Sequence, residues 1–207
     1  MKKLTTTSHA MLGLLALKPW TTYELAQQME RSLSNFWPRA QSKLYEEPKN
    51  LVAHGLATAK RERVGRRPRT VYTITPKGRE ALRAWLDEPA APLTLEFEGI
   101  LKVFLADQGT REQLLDQIRH IKTHAEQEKA RGMTFVQEYA ETGGPFPERL
   151  HIIGLVVGFL SGLNSAVLDW ADWAESEVSQ WDEMDKAPSR EMFQRFMERG
   201  KFDVARD

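Results

Sequence analysis

The chain has 207 residues, 28% of them charged and 41% hydrophobic, enough for two small domains that each bury a core. It contains no cysteine, which excludes disulfides, cysteine-ligated metal centres and thiol nucleophiles. The formal net charge of zero conceals an asymmetry: residues 1–89 hold 16 Lys/Arg against 8 Asp/Glu, and residues 90–207 hold 13 against 21. A basic half joined to an acidic half predicts a polyanion partner at one end and another task at the other.

Met1-Lys2-Lys3 is followed by no long apolar run before Lys18, so a cytoplasmic protein is expected. Ser8 to Leu17 predicts a helix with Met11, Leu12, Leu14, Leu15 and Leu17 buried. Thr21 or Thr22 can cap a second helix, with Tyr23, Leu25, Ala26, Met29 and Leu33 roughly on one side. Ser34 to Pro38 reads as a turn. A third helix is expected from about Arg39 to His54, with Ala40, Leu44 and Leu51 inward and Gly55 at its C′ position. Pro48 removes a backbone N–H inside it, which predicts a kink or a new turn starting at Glu47. Leu56 to Val64 and Arg69 to Thr75 read as strands, with Gly65-Arg66-Arg67-Pro68 as the hairpin tip. Pro76 opens a helix over Lys77 to Glu88, with Ala81, Leu82, Trp85 and Leu86 inward.

Pro89-Ala90-Ala91-Pro92 coincides with the charge switch and is the expected boundary between domains 1–89 and 90–207. Beyond it every pattern is helical. Leu95 to Ala106 carries an apolar stripe of Phe97, Ile100, Leu101, Phe104 and Leu105. Thr110 and Gln113 form a capping-box pair that opens a long helix. Its apolar positions Leu114, Ile118, Ile121, Ala125, Gly132, Val136 and Tyr139 have coiled-coil-like spacing, and Gly143-Gly144-Pro145 ends it. The next helix, Glu148 to about Ser176, is apolar on nearly every side. Its uncharged stretch, Ile152 to Leu168, is shorter than a membrane span requires and contains Ser161, Asn164 and Ser165, so a buried helix is expected and no membrane partner. Gly154, Gly158, Gly162 and Ala166 leave one flank almost bare, open to close approach by the same chain or by a partner. Ser189 to Phe202 reads as a last amphipathic helix, with Met192, Phe193, Phe196 and Met197 inward.

Three helices and a basic hairpin, in that order, predict a winged helix-turn-helix. The fold class is therefore mainly α with a small β-hairpin wing, followed by an all-α dimerisation domain. The third helix can present Gln41, Ser42 and Lys43 to base edges in a major groove, with Arg39 and Tyr45 on the backbone. Glu46 and Glu47 repel phosphate, which places the contacts before them. The hairpin carries Lys60, Arg61, Arg63, Arg66, Arg67 and Arg69 against one acid, Glu62, and Arg66, Arg67 and Arg69 would act from the wing.

These residues resemble the PadR family of transcriptional regulators. The matching pieces are Met11-Leu12-Gly13-Leu14-Leu15, Thr22-Tyr23-Glu24-Leu25, Ser42-Lys43-Leu44-Tyr45, Leu51 to Leu56, Gly65-Arg66-Arg67-Pro68-Arg69, Tyr72-Thr73-Ile74-Thr75-Pro76-Lys77-Gly78 and Trp85. Together they cover nearly all of residues 8–88. Pro48 departs from the family, which usually has an apolar residue such as leucine there. The resemblance implies a homodimer on double-stranded DNA at a palindromic site, with a small aromatic ligand in some members. For such an effector the acidic half offers Tyr139, Trp170 and Trp173; the alternative is that they simply fill the core and dimer interface.

Other chemistry finds little support. His120 and His124 are four apart but lack a carboxylate-and-histidine signature, so no metal is expected. Asp169 with Asp172, and Glu96 with Glu98, read as solvated acids. No phosphate loop or nucleophile elbow is present, so neither an enzyme nor a cofactor is expected. Two rivals to a sequence-specific regulator stay open: an architectural DNA-binding protein, and a helical adaptor whose winged domain binds protein.

Overall fold

Reciprocal side-chain caps set the first helices. Helix α1 (Thr6–Leu17) starts where the Thr5 hydroxyl accepts from the Ser8 N–H and the Ser8 hydroxyl accepts from the Thr5 N–H. Helix α2 (Thr22–Leu33) starts the same way with Thr21 and Glu24. The computed structural model describes residues 4–64, 67–184 and 189–199. The chain divides into two units, Met1–Leu93 and Thr94–Asp207.

In the first unit, strand β1 (Trp20–Thr21) precedes α2, and helix α3 (Gln41–Ala53) follows it. Strands β2 (Ala57–Val64) and β3 (Arg67–Ile74) then lead to helix α4 (Pro76–Asp87), which has Thr75 as cap and proline at its first position. The antiparallel sheet has the order β1-β3-β2. Strand β1 has no sequence signature, because two residues show no alternation; Trp20 lies opposite Tyr72 and Thr21 opposite Val71. The core joins Met11, Leu12 and Leu15 of α1 to Leu25, Met29, Leu44, Leu51, Tyr72 and Ile74. The Trp20 indole N–H donates to the Leu14 carbonyl at 2.8 Å. Gly55 takes the left-handed φ of 70° that lets the chain leave α3.

Several inward expectations fail here. Tyr23 and Leu86 are exposed, and Ala40 is the exposed N-cap of α3 rather than a core residue. Pro48 does not restart α3, which runs uninterrupted from Gln41 to Ala53 with the proline inside it. Its ring is fully buried beside Leu44 and Leu51, and this packing carries the helix past the missing hydrogen bond. Glu47 faces the same core, only 6% exposed, so it does not repel phosphate from the outer face.

The second unit holds α5 (Glu98–Phe104), a 3-10 turn at Ala106–Gln108, α6 (Arg111–Thr142), α7 (Leu150–Ser179) and α8 (Ser189–Arg199). The Thr110–Gln113 capping box starts α6, and Gly143 at φ 73° ends it. Helices α6 and α7 run antiparallel. Arg111, at the start of α6, donates to the Val178 and Ser179 carbonyls at the end of α7, and the Val178 carbonyl also accepts from the Trp181 backbone N–H at 3.1 Å. Arg119 pairs with Glu175 at 2.7 Å and Lys122 with Asp172 at 2.6 Å, and the Asn164 amide donates to the Ala125 carbonyl at 3.0 Å. Leu114, Leu115 and Ile118 form the core with Ala171, Ala174 and Val178.

The expected burial of α7 is overturned within one chain. Among the described residues its apolar middle packs mainly on α6, so Leu155 is 73% exposed and Phe159 56%, and a Cβ added at Gly154, Gly158 or Gly162 would meet open space. By length and composition alone this helix is able to cross a membrane. The α5 stripe is likewise open at Ile100, Leu101, Phe104 and Leu105, and Val136 of the α6 seam is exposed. In α8, Phe196 tilts against Trp173 and Arg195 pairs with Glu177 at 2.7 Å, whereas Phe193 is exposed and Phe202 lies outside the described residues.

Candidate nucleic-acid interface

The N-terminus of α3 has no side-chain cap, because alanine occupies the capping position. The Lys43 and Leu44 N–H groups bond back to the Ala40 carbonyl, and those of Gln41 and Ser42, in the first turn, have no intrahelical acceptor. Arg39 lies before the helix rather than in it. Its guanidinium stacks 4.0 Å from the Trp37 ring centroid and donates to the Pro38 carbonyl at 2.7 Å. Gln41, Ser42, Lys43 and Tyr45 are all exposed. Helical spacing puts Ser42, Tyr45 and Lys49 along one outer stripe, with Glu46 beside them. Lys49 adds an exposed cation to this stripe, which the two acids before it obscure in the sequence; one of those acids, Glu47, is buried on the other side.

The wing is longer than the sequence suggests. Strands β2 and β3 stay paired from Ala57 opposite Ile74 to Val64 opposite Arg67, so Arg67 and Pro68 belong to a strand and not to the tip. Arg66 and the Arg67 side chain lie outside the described residues. Strand alternation puts Arg61 and Arg63 on the face that carries Tyr72 and Ile74 at its buried base. Lys60, Glu62 and Arg69 occupy the other face. There Glu62 holds Arg69 at 3.0 Å and Lys60 at 3.7 Å. Exposed pairs of this kind contribute about 0–1 kcal/mol and exchange readily for phosphate. At the start of α2, hydrogen bonds from the Thr21 backbone and hydroxyl hold the Glu24 carboxyl below the usual range.

Residues 11–84 match the family model described as the transcriptional regulator PadR-like family. Residues 11–84 form a PadR-like domain. The family is one of transcriptional regulators, not of enzymes. The negative transcriptional regulator PadR of Bacillus subtilis is 28% identical over 110 residues, covering 52% of this chain and 60% of that protein. The chain spans about half the length of the curated relatives it matches. The structure of B. subtilis PadR in complex with operator DNA matches with a TM-score of 0.73 at 20% identity, over 84% of this chain and 99% of that one. PadR in complex with p-coumaric acid matches at 0.70 and 19% identity, over 85% and 100%. At these identities the likeness is one of fold: a PadR-like winged helix with a helical remainder.

Outside the PadR-like domain, the three effector candidates do not share one site in a single chain. Tyr139 is buried near the end of α6 and stacks on Phe135 at 4.0 Å. Trp170 and Trp173 pack against the Leu114–Val178 core. The residue pairing along α6 and α7 separates the two places by roughly 25 Å, at the rise of an α-helix. Trp181 joins the tryptophan group, and its indole N–H is buried with no hydrogen-bond partner. Among the described residues no cluster of side chains suits a metal ion. His124 lies 3.8 Å from Glu128, and Asp172 and Glu98 are paired with lysines.

Proposed function

We propose that this protein is a sequence-specific DNA-binding transcriptional regulator that acts in the cytoplasm as a homodimer on a palindromic operator. The observation that carries this reading is the uncapped α3 N-terminus, with Gln41, Ser42 and Lys43 exposed in sequence, on the same unit as a wing bearing Lys60, Arg61, Arg63 and Arg69. Free N–H groups and Arg39 suit a phosphate, and the side chains that follow suit base edges. Arg66 and Arg67 extend the wing by sequence. The dimer is supported by the open apolar face of α7, which a second copy would cover. A small aromatic effector fits Trp170, Trp173 and Trp181 better than a site including Tyr139, because the unpaired Trp181 N–H can donate to a polar ligand group.

Selection of duplexes from a random pool by the full chain tests this directly. A palindrome with half-sites about 10 bp apart, or a multiple of that, is expected. Equal affinity for selected and scrambled duplexes favours the architectural alternative. No salt-dependent binding to any duplex favours the adaptor.

A further inference from the structure

Of the polar groups outside the DNA-facing surface, those most deeply buried converge on one place. Ser8 is fully buried, Glu47 6% exposed and Thr7 7% exposed. The Thr5 N–H donates to the Ser8 hydroxyl at 2.8 Å, and that hydroxyl donates in turn to the Glu47 carboxylate. The Asn50 amide donates to the same Glu47 oxygen at 3.0 Å. One residue before Ser8, the Thr7 hydroxyl accepts from the Trp37 indole N–H at 3.5 Å, and the Trp37 ring carries the Arg39 guanidinium. The first turn of α1 thus grips the recognition helix at its middle and at the turn leading into it.

We infer that Thr7, Ser8 and Glu47 are positioning residues that determine base specificity without touching DNA, by fixing the rotation of α3 about its own axis. The inference rests on the DNA-binding reading above. Leu44, Pro48 and Leu51 already bury one face of α3, but apolar contacts are non-directional and tolerate some rotation. A rotation of about 20° moves side-chain tips at a radius of about 6 Å through about 2 Å. A base-edge hydrogen bond loses its geometry over that distance. The Ser8–Glu47 bond is directional and lies on the opposite face of α3 from Ser42, so it resists this rotation. An apolar side chain would fill the position of Glu47 without the cost of desolvating a carboxylate. Orientation is what the carboxylate adds.

The test compares full-length wild type, Ser8→Ala/Glu47→Met, Glu47→Gln and Thr7→Val on the selected duplex and on a scrambled one, across a salt series. Removing both partners of the buried bond leaves neither of them orphaned; the Thr5 N–H and the Asn50 amide also lose an acceptor, but Thr5 is exposed and Asn50 half-buried, so water replaces it and the double variant is expected to fold with a modestly lowered melting temperature. Its affinity for scrambled duplex and its salt slope stay unchanged. Its preference for the selected duplex falls about tenfold, the scale of one lost base contact. Glu47→Gln, which still accepts from Ser8, retains most of the preference, and Thr7→Val loses part of it. A folded double variant with wild-type preference overturns the inference. Equal losses on both duplexes also overturn it, since they mark general destabilisation. If the double variant does not fold, Ser8→Ala alone carries the same two readings. A wild-type chain without preference for any duplex removes the functional reading itself, an outcome distinct from either of these.

Discussion

Replacing Leu155 by alanine tests the proposed homodimer at the most exposed large apolar residue of α7. Leu155 is 73% exposed in the single chain, so the chain's own fold draws little from it. Full burial of a leucine contributes about 1.5–3 kcal/mol, so covering the remaining surface contributes about 1–2 kcal/mol per copy. In a two-fold interface the residue occurs twice, which makes about 2–4 kcal/mol per dimer. Alanine removes most of that, and at 1.4 kcal/mol per tenfold the full amount would raise the dissociation constant roughly 30- to 700-fold, which bounds the expected rise from above. Leucine and alanine are both good helix formers, so α7 persists. Sedimentation velocity over a concentration series reads the shift, and circular dichroism checks the helix content. Operator titration should show a matching loss, because each half-site then binds without the benefit of linkage. A dimer that dissociates at the wild-type concentration would show that the apolar face of α7 is not the interface.

Arg63→Ala is expected to weaken binding to every duplex and to flatten the log K against log salt slope by about 0.9, if the arginine meets one phosphate. Gln41→Ala should instead redistribute base preference at one operator position, by about 1–3 kcal/mol, with the salt slope intact; parallel selections compare the two. Thr21→Ala removes the α2 cap and should cost about 0.5–2 kcal/mol in thermal or urea unfolding. Because the folded-state pKa of Glu24 is lowered by Thr21, its contribution is present above the unfolded-state pKa and lost as pH falls through the folded one. The backbone N–H, the larger cause, survives in Thr21→Ala, so the wild type should lose more stability on acidification below the usual glutamate range only by the hydroxyl's share, and equal losses would show that the hydroxyl contributes nothing. Gly78→Ala drives a Cβ into the Leu56 carbonyl oxygen and should destabilise the first unit by about 1–3 kcal/mol, read from its melting transition.

The sequence by itself determined the local features. Capping pairs such as Thr110–Gln113, the proline that opens α4, the glycine that closes α3 and the strand alternation of Thr70 to Ile74 are each written within a few residues, so neighbours elsewhere in the chain have little say in them. The exposure of Gln41, Ser42, Lys43 and Tyr45 is legible for the same reason, since an amphipathic helix declares its outer face. What only the tertiary structure decided were the features that depend on a distant partner. Glu47 reads as a surface acid until Ser8, 39 residues earlier, supplies the donor that draws it inward. Pro48 reads as a helix breaker until a core surrounds its ring. Tyr139 reads as a neighbour of Trp170 and Trp173 until antiparallel pairing sends them to different ends of the helix pair. The apolar run in α7 reads as a buried helix because hydrophobicity records the need for a cover; which surface supplies that cover depends on how the folded elements pack, and within one chain α6 covers only one side.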